Sequence, residues 1–170
     1  MNSQSCIRVA NQEDLCRIVE IYNASINDGM ATADTSAVSV ESRQAWYDAH
    51  HSRRPLWVYQ CPTSYDVLGW LSFRDFYGRP AYAQTVEVAL YVCPNAQGKG
   101  IAAELLTNAI RQAPKLNIET ILAFIFAHNR PSVRLFTKYH FQQWGRYPEV
   151  ANMPQGKRDL CVYGLAVKAH

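Results

Sequence analysis

Residues 91–106, reading YVCPNAQGKGIAAELL, constrain the fold more than any other stretch of this 170-residue chain. A strand-like run ends near Pro94, and two glycines, Gly98 and Gly100, follow at once. Ile101, Leu105, Leu106 and Ile110 then recur at helical spacing. Strand, glycine turn and amphipathic helix therefore follow one another without a break. Glycine lets the backbone pass close to a ligand, and the free N–H groups at a helix start attract phosphate oxygens. The spacing is neither a Walker P-loop nor a Rossmann GxGxxG. Taken alone, the same turn also reads as an ordinary helix cap.

Periodicity places the remaining elements around this unit. Residues 6–10 predict a short strand. Asn11 is a helix N-cap, with Glu13 and Asp14 in the first turn, and Leu15, Ile18, Val19, Tyr22 and Ile26 carry the helix to about Ile26. Small polar residues over 28–39 predict a loop, and residues 41–50 a second helix carrying Trp46. Strands are expected over Leu56–Gln60 and residues 67–74, with residues 84–93 as the longest strand. A helix over 98–112, a buried strand over 120–127 and a helix over 129–139 with Pro131 in its first turn come next. Strands near 142–146 and 160–167 finish the chain. The order β-α-α-β-β-β-α-β-α-β-β predicts an α+β fold, a mixed central sheet flanked by helices. Without repeats or a linker, residues 1–170 read as one domain.

Composition removes several classes of function. The balance of 17 basic against 14 acidic residues leaves a formal charge of +3, too small for an electrostatic nucleic-acid binder. Apolar runs such as residues 121–127 fall far short of the roughly 20 residues that span a bilayer. Residues 1–5, MNSQS, lack the basic flank and apolar stretch of a signal peptide, so a soluble cytoplasmic protein is expected. Cys6, Cys16, Cys61, Cys93 and Cys161 form no CxxC pair or Cys/His cluster, so neither a metal site nor a disulfide framework is expected. The 4 Trp, 10 Tyr and 6 Phe exceed the needs of the core alone.

Two segments together carry a family resemblance. Gln97-Gly98-Lys99-Gly100-Ile101-Ala102 fits Q/R-x-x-G-x-G/A, and Asn129-Arg130-Pro131-Ser132-Val133-Arg134-Leu135-Phe136, followed by His140-Phe141, resembles N-x-x-S/A-x-x-L-Y/H…G-F. Both are signatures of the Gcn5-related N-acetyltransferase (GNAT) family, and the predicted element order is similar to that fold across nearly the whole chain. Phe73-Arg74, Arg79-Pro80-Ala81-Tyr82 and Thr85-Val86-Glu87 further resemble the phosphinothricin (methionine sulfoximine) N-acetyltransferases, with Ile21-Tyr22-Asn23 and Pro148-Glu149-Val150 in agreement. That resemblance implies acetyl-CoA as co-substrate and no metal. It implies as acceptor the α-amine of an amino acid with a phosphinate, sulfoximine or sulfone side chain. It also implies direct attack in a ternary complex, and a homodimer.

Candidate residues follow from the chemistry. An amine attacks a thioester only as free base, so a carboxylate near the acyl carbon is needed to take its proton. Val86, Val88, Leu90 and Val92 alternate with Glu87, Ala89, Tyr91 and Cys93, which leaves Glu87 as the acid on an otherwise apolar strand. Glu87 is the candidate base, or else an exposed strand residue or a partner of Arg74 or Arg79. The resemblance assigns the cofactor to Leu90, Tyr91 and Val92 through their backbone, to Gln97, Gly98, Lys99, Gly100, Ile101 and Ala102 in the turn, and to Asn129 and Ser132. Lys99 also reads as a surface lysine and Asn129 as a helix cap. Phe73, Arg74, Arg79 and Tyr82 are the implied acceptor wall, with Tyr77 close by and guanidinium groups suited to carboxylates and oxyanions. The arginines also read as solvated loop residues. Trp46, Trp57 and Trp70 are expected in the core or an interface.

Three positions depart from the family pattern. Phe136 stands where relatives carry a Tyr or His able to protonate the leaving thiolate, so no protein acid is assigned, although His128 and His140 are nearby in sequence. His140 replaces the usual Gly before Phe141. Ala33 replaces a Phe, which predicts a wider pocket. Acetylation of a protein N-terminus or polyamine, or a non-catalytic acyl-CoA sensor, are the rival functions.

Overall fold

Asn11 turns the chain from its first strand into its first helix. Its side chain accepts from the Glu13 and Asp14 amides while the Asp14 carboxylate accepts from the Asn11 amide at 2.8 Å, a reciprocal capping box. Arg8, on the first strand, donates to both oxygens of Asp14 at 2.7 and 2.9 Å. The Asn11 cap opens a single 3-10 turn, Gln12–Asp14, which runs straight into the helix proper.

The computed structural model describes residues 6–167, so the reading of residues 1–5 lies outside it. Its elements are β1 (Ile7–Val9), α1 (Leu15–Ala24), α2 (Val40–Asp48), β2 (Leu56–Gln60), β3 (Val67–Asp75), β4 (Thr85–Val92), α3 (Ile101–Gln112), β5 (Thr120–Phe126), α4 (Arg130–Lys138), β6 (Gln142–Met153) and β7 (Gly156–Ala166). The expected order holds. The longest strands are β6 and β7, with 12 and 11 residues, and not β4 with 8. The polar residues, Gly145 and Pro148 of β6 hide its strand character, and two register shifts let it follow β7. No helix among the described residues is long and apolar enough to cross a membrane.

The sheet order is β1-β2-β3-β4-β5-β7-β6, and β4–β5 is the parallel pair in an otherwise antiparallel sheet. Alternation along the strands sorts side chains into two layers. On one face Leu71, Phe73, Val86, Val88, Ile121, Ala123 and Ile125 pack against Ile101, Leu105 and Leu106 of α3 and Phe136 of α4. On the other, Leu56, Val58 and Trp70 pack against Ile18 and Ile21 of α1. Gly69 lets α3 settle close to the sheet, since a Cβ there would stand 3.1 Å from both Ile101 and the Tyr91 carbonyl.

Candidate active site

Strands β3 and β4 place Arg74 and Glu87 directly opposite each other, followed by Ser72 against Ala89 and Trp70 against Tyr91. These pairs share the face that carries α1 and α2. Trp70, Arg74, Glu87, Ala89 and Tyr91 make the floor of a cavity of about 180 Å³. Ile18, Val19 and Tyr22 of α1 and Arg43 and Trp46 of α2 make its roof. Burial pushes the Glu87 carboxyl above the ordinary carboxylate range, and the nearby Arg74 charge only partly opposes that shift.

The loop over residues 28–39 lies outside the lining but is hydrogen-bonded to Tyr22, Arg43 and Tyr91 within it. Asn23 pins it through two 2.9 Å bonds, donating to the Val38 carbonyl and accepting from the Val38 amide. The Tyr22 hydroxyl meets Thr32 at 2.6 Å and donates to Asp34, and the Tyr91 hydroxyl donates to the Ala31 carbonyl at 3.2 Å. Burial, with Tyr22 beside it, holds the Tyr91 phenol well above its ordinary range, so it stays protonated. His128 ties the loop to the far side of the molecule, its Nε2 lying 3.0 Å from the Gly29 carbonyl.

The sheet parts beside the cavity. Pairing of β4 with β5 runs over Thr85–Thr120, Val86–Ile121 and Glu87–Leu122 and then ceases, while β5 goes on pairing with β7 to Phe126. Alternate residues of β4 face β5, so the backbone groups of Leu90 and Val92 have no strand partner there, while those of Tyr91 turn to Trp70 of β3. The Val92 carbonyl accepts from the Gln97 side chain, Nε2, at 3.4 Å. Gly98 and Gly100 have φ of 76° and 84°, a conformation that explains why these positions are glycine. A Cβ on either would meet nothing within 4 Å, so the backbone faces open space. Helix α3 begins only at Ile101, three residues later than its pattern predicts, because both glycines are left-handed. Its first amides point out over the turn. A parted strand pair and an open ring of amides at a helix N-terminus suit a ligand with a slender amide-bearing arm and a phosphorylated end.

Several expected residues come together here, and several do not. Glu87, Arg74 and Tyr91 line the cavity, and Leu90, Val92 and residues 97–102 form the adjoining edge and turn. Asn129 is buried and caps α4 through Oδ1, accepting from the Ser132 amide at 3.3 Å, which leaves its Nδ2 unspent. Phe73 is fully buried in the opposite layer, its ring 5.4 Å from Trp57, and cannot touch an acceptor. The β3 alternation that exposes Arg74 to the cavity sends Phe73 the other way. Arg79 and Tyr82 also lie outside the cavity lining, and Tyr82 joins Phe76 and Tyr77 in an outlying aromatic cluster. Trp57 and Trp70 sit in the core as expected, with Trp46 packed against it, and Trp46 and Trp70 also line the cavity. Ala33 is exposed and does not line it. His140 adopts φ of 67°, the conformation for which the family pattern has Gly. Phe136 packs on Phe141 at 4.9 Å, and neither His128 nor His140 lines the cavity.

The sequence profile of the acetyltransferase (GNAT) family matches residues 18–141, which include the cavity roof, Glu87, the glycine turn and α4. The chain belongs to the GNAT family of acetyltransferases. Among curated relatives of this GNAT enzyme is YwnH of Bacillus subtilis, provisionally named a phosphinothricin acetyltransferase. The two are 44% identical over 158 residues, which covers 93% of this chain and 96% of the relative. The L-methionine sulfoximine/L-methionine sulfone acetyltransferase of Salmonella typhimurium is 33% identical over 147 residues, covering 85% and 84%. A phosphinothricin acetyltransferase from Sinorhizobium meliloti, solved in complex with acetyl-CoA, superposes with a TM-score of 0.89 at 25% identity, covering 95% and 87%.

Sequence reasoning missed Tyr22, Arg43 and Trp46 as parts of the GNAT cavity. Tyr22 stands out in the sequence as an apolar helix position and within the Ile21-Tyr22-Asn23 resemblance, and neither marks it as a cavity residue. Helix α2 is polar enough, and so free of fully buried residues, that nothing in its pattern marked one face as functional.

Proposed function

We propose that this GNAT enzyme moves acetyl from acetyl-CoA to the α-amine of a small amino-acid analogue, of the phosphinothricin, methionine sulfoximine or methionine sulfone type. The observation that carries the reading is the Glu87–Arg74 pair in the floor of an aromatic chamber whose strand, β4, also presents an unpartnered edge. The relatives' names support the acceptor class.

Bound acetyl-CoA supplies the acetyl thioester. Residues 98–102 offer amides and the α3 dipole to its pyrophosphate, with Gln97 and Lys99 beside them. Leu90 and Val92 offer backbone hydrogen bonds to the pantetheine arm, Tyr91 between them being paired with Trp70, and Asn129 Nδ2 and Ser132 lie at the start of α4. Arg74 holds the acceptor's α-carboxylate, which sets the α-amine beside Glu87. Glu87 takes a proton from the ammonium, directly or through a water, and the freed nitrogen pair attacks the acyl carbon in a ternary complex. As the new C–N bond forms, the C–S bond breaks, the sulfur leaves as thiolate and the nitrogen sheds its second proton to water to become the amide. Phe136 offers no proton, so the thiolate, with a pKa near 8.5, departs bare or takes a proton from water. No metal enters this scheme.

Arg43 and Arg74 in the chamber disfavour polyamines, which call for an acidic cleft. The same reading takes the enzyme as a cytoplasmic homodimer, in which exposed Tyr77, Trp144, Tyr147 and Val150 provide apolar surface for a second copy to cover. The test is thiol release from acetyl-CoA across phosphinothricin, methionine sulfoximine, methionine sulfone, ordinary amino acids, polyamines and peptides. Turnover confined to α-amino acids supports the proposal. Acetyl-CoA binding without turnover of any acceptor overturns it in favour of a sensor.

A further inference from the structure

Arg43 is a cation that no motif of the chain singled out, yet it forms part of the cavity roof opposite the Glu87–Arg74 floor. Its guanidinium carbon sits 4.5 Å from the Tyr22 ring centre and 5.8 Å from that of Trp46. Its Nη2 donates to Asp34 at 3.1 Å, and Asp34 also accepts from the Tyr22 hydroxyl. Stacking and the Asp34 bond fix the plane of the group before any ligand arrives. Asp34 occupies Nη2 and leaves Nη1 and Nε for another acceptor.

The chamber divides an α-amino acid into two ends. Amine and carboxylate share one carbon, so both must lie where Glu87 and Arg74 lie side by side. Arg43 stands on the other layer, on α2, and the rings of Tyr22, Trp46, Trp70 and Tyr91 line the space with apolar surface suited to methylenes. Arg79, the other cation expected in the acceptor wall, is exposed and outside this lining.

We propose that Arg43 is the distal-oxygen subsite, binding the anionic phosphinate or carboxylate oxygen, or the polar but neutral sulfoximine or sulfone oxygen, at the far end of the acceptor's side chain. The inference rests on the α-amino-acid reading above, and it adds the residue that selects among such acids.

Calorimetric titration tests it on the full chain saturated with CoA. The probes are phosphinothricin and norleucine, the latter a linear amino acid without the oxyanion. Arg43→Gln is expected to weaken phosphinothricin by about 30-fold, the worth of a charged hydrogen bond, and norleucine by less than about 3-fold. Arg43→Lys keeps a charge without the planar fork and is expected to fall between Gln and wild type. Asp34→Asn removes the competing carboxylate, so phosphinothricin should bind as tightly as to wild type or more so. Equal losses for both ligands in Arg43→Gln, or an Asp34→Asn variant that copies it, make Arg43 a loop brace and overturn the proposal. Oxyanion-dependent binding without acetyl transfer would sink the proposed reaction and leave the subsite standing. Acetyl transfer indifferent to the oxyanion would do the reverse.

Discussion

Glu87 and Arg74 face each other across the β3–β4 ladder, yet the carboxyl of Glu87 is raised and not lowered. Burial of the acid outweighs the attraction of its neighbour because Arg74 is largely exposed and its charge is screened by water. A carboxylate with a raised pKa is a stronger base, which favours its accepting an ammonium proton.

Glu87→Gln should lower kcat by about 10²- to 10⁴-fold while acetyl-CoA still binds. In wild type kcat/KM should climb with pH through an acid limb above the ordinary value of 4.5. It should then show no alkaline limb from residue 136. Linkage gives the stability sign. The folded state holds the Glu87 proton more tightly than the unfolded chain, so stability falls as pH rises through that window. Glu87→Gln therefore melts at the same temperature as wild type or higher at pH 7. Rate–pH profiles and thermal melts check both statements.

Gly100→Ala forces a side chain into φ of 84°. Since the added Cβ meets nothing, the cost is torsional, about 1–2 kcal/mol. The strain is relieved by shifting the turn, so KM for acetyl-CoA should rise several-fold with little change in acceptor KM. Steady-state kinetics with each substrate varied in turn separates the two.

Asp14 governs acid stability at the start of α1. Burial by itself would push its carboxyl up, but hydrogen bonds from Arg8 and the Asn11 amide, with the Arg8 charge, hold it below 3.8. Its contribution is therefore complete above 3.8 and lost as pH falls through the lowered value. Asp14→Ala should cost about 2 kcal/mol near neutrality, allowing for the partly exposed guanidinium. The gap between variant and wild-type melting temperatures should close below pH 3.8.

Cys61, between β2 and β3, has its thiol drawn down to about 6 by hydrogen bonds from Ser64 and Thr63. Its alkylation by iodoacetamide should reach half its maximal rate near pH 6. Peptide mapping after short pulses across pH 5 to 8 reads the labelling of Cys61.

Local patterns were legible where one residue's neighbours in sequence are also its neighbours in space. The alternation of Val86 to Cys93 announced which way Glu87 would point, and Gln97 to Ala102 announced the turn. His140 was recognisable as a residue in a glycine's place, and it does hold a positive φ. Phe73 and Arg74 are adjacent in the chain and share the expected acceptor wall, although strand geometry sends them to opposite layers. Arg43 owes its placement to Asp34, Tyr22 and Trp46, contacts made by tertiary packing of a loop and two helices. No periodicity encodes that. The polar edge strand β6 was similarly underestimated, because its pairing with β7 and not its own hydrophobicity holds it in the sheet.

The three residue pairs joining β4 to β5 form a narrow weld between two plates, strands β1–β4 on one side and β5–β7 on the other. Beyond the weld the plates spread like the jaws of a clothes-peg. A slender guest held in the jaws stitches the plates together along a line that the polypeptide leaves open. Occupancy should thus be felt as stiffness, read by slower amide exchange at Leu90 and Val92, in a molecule whose outline hardly changes.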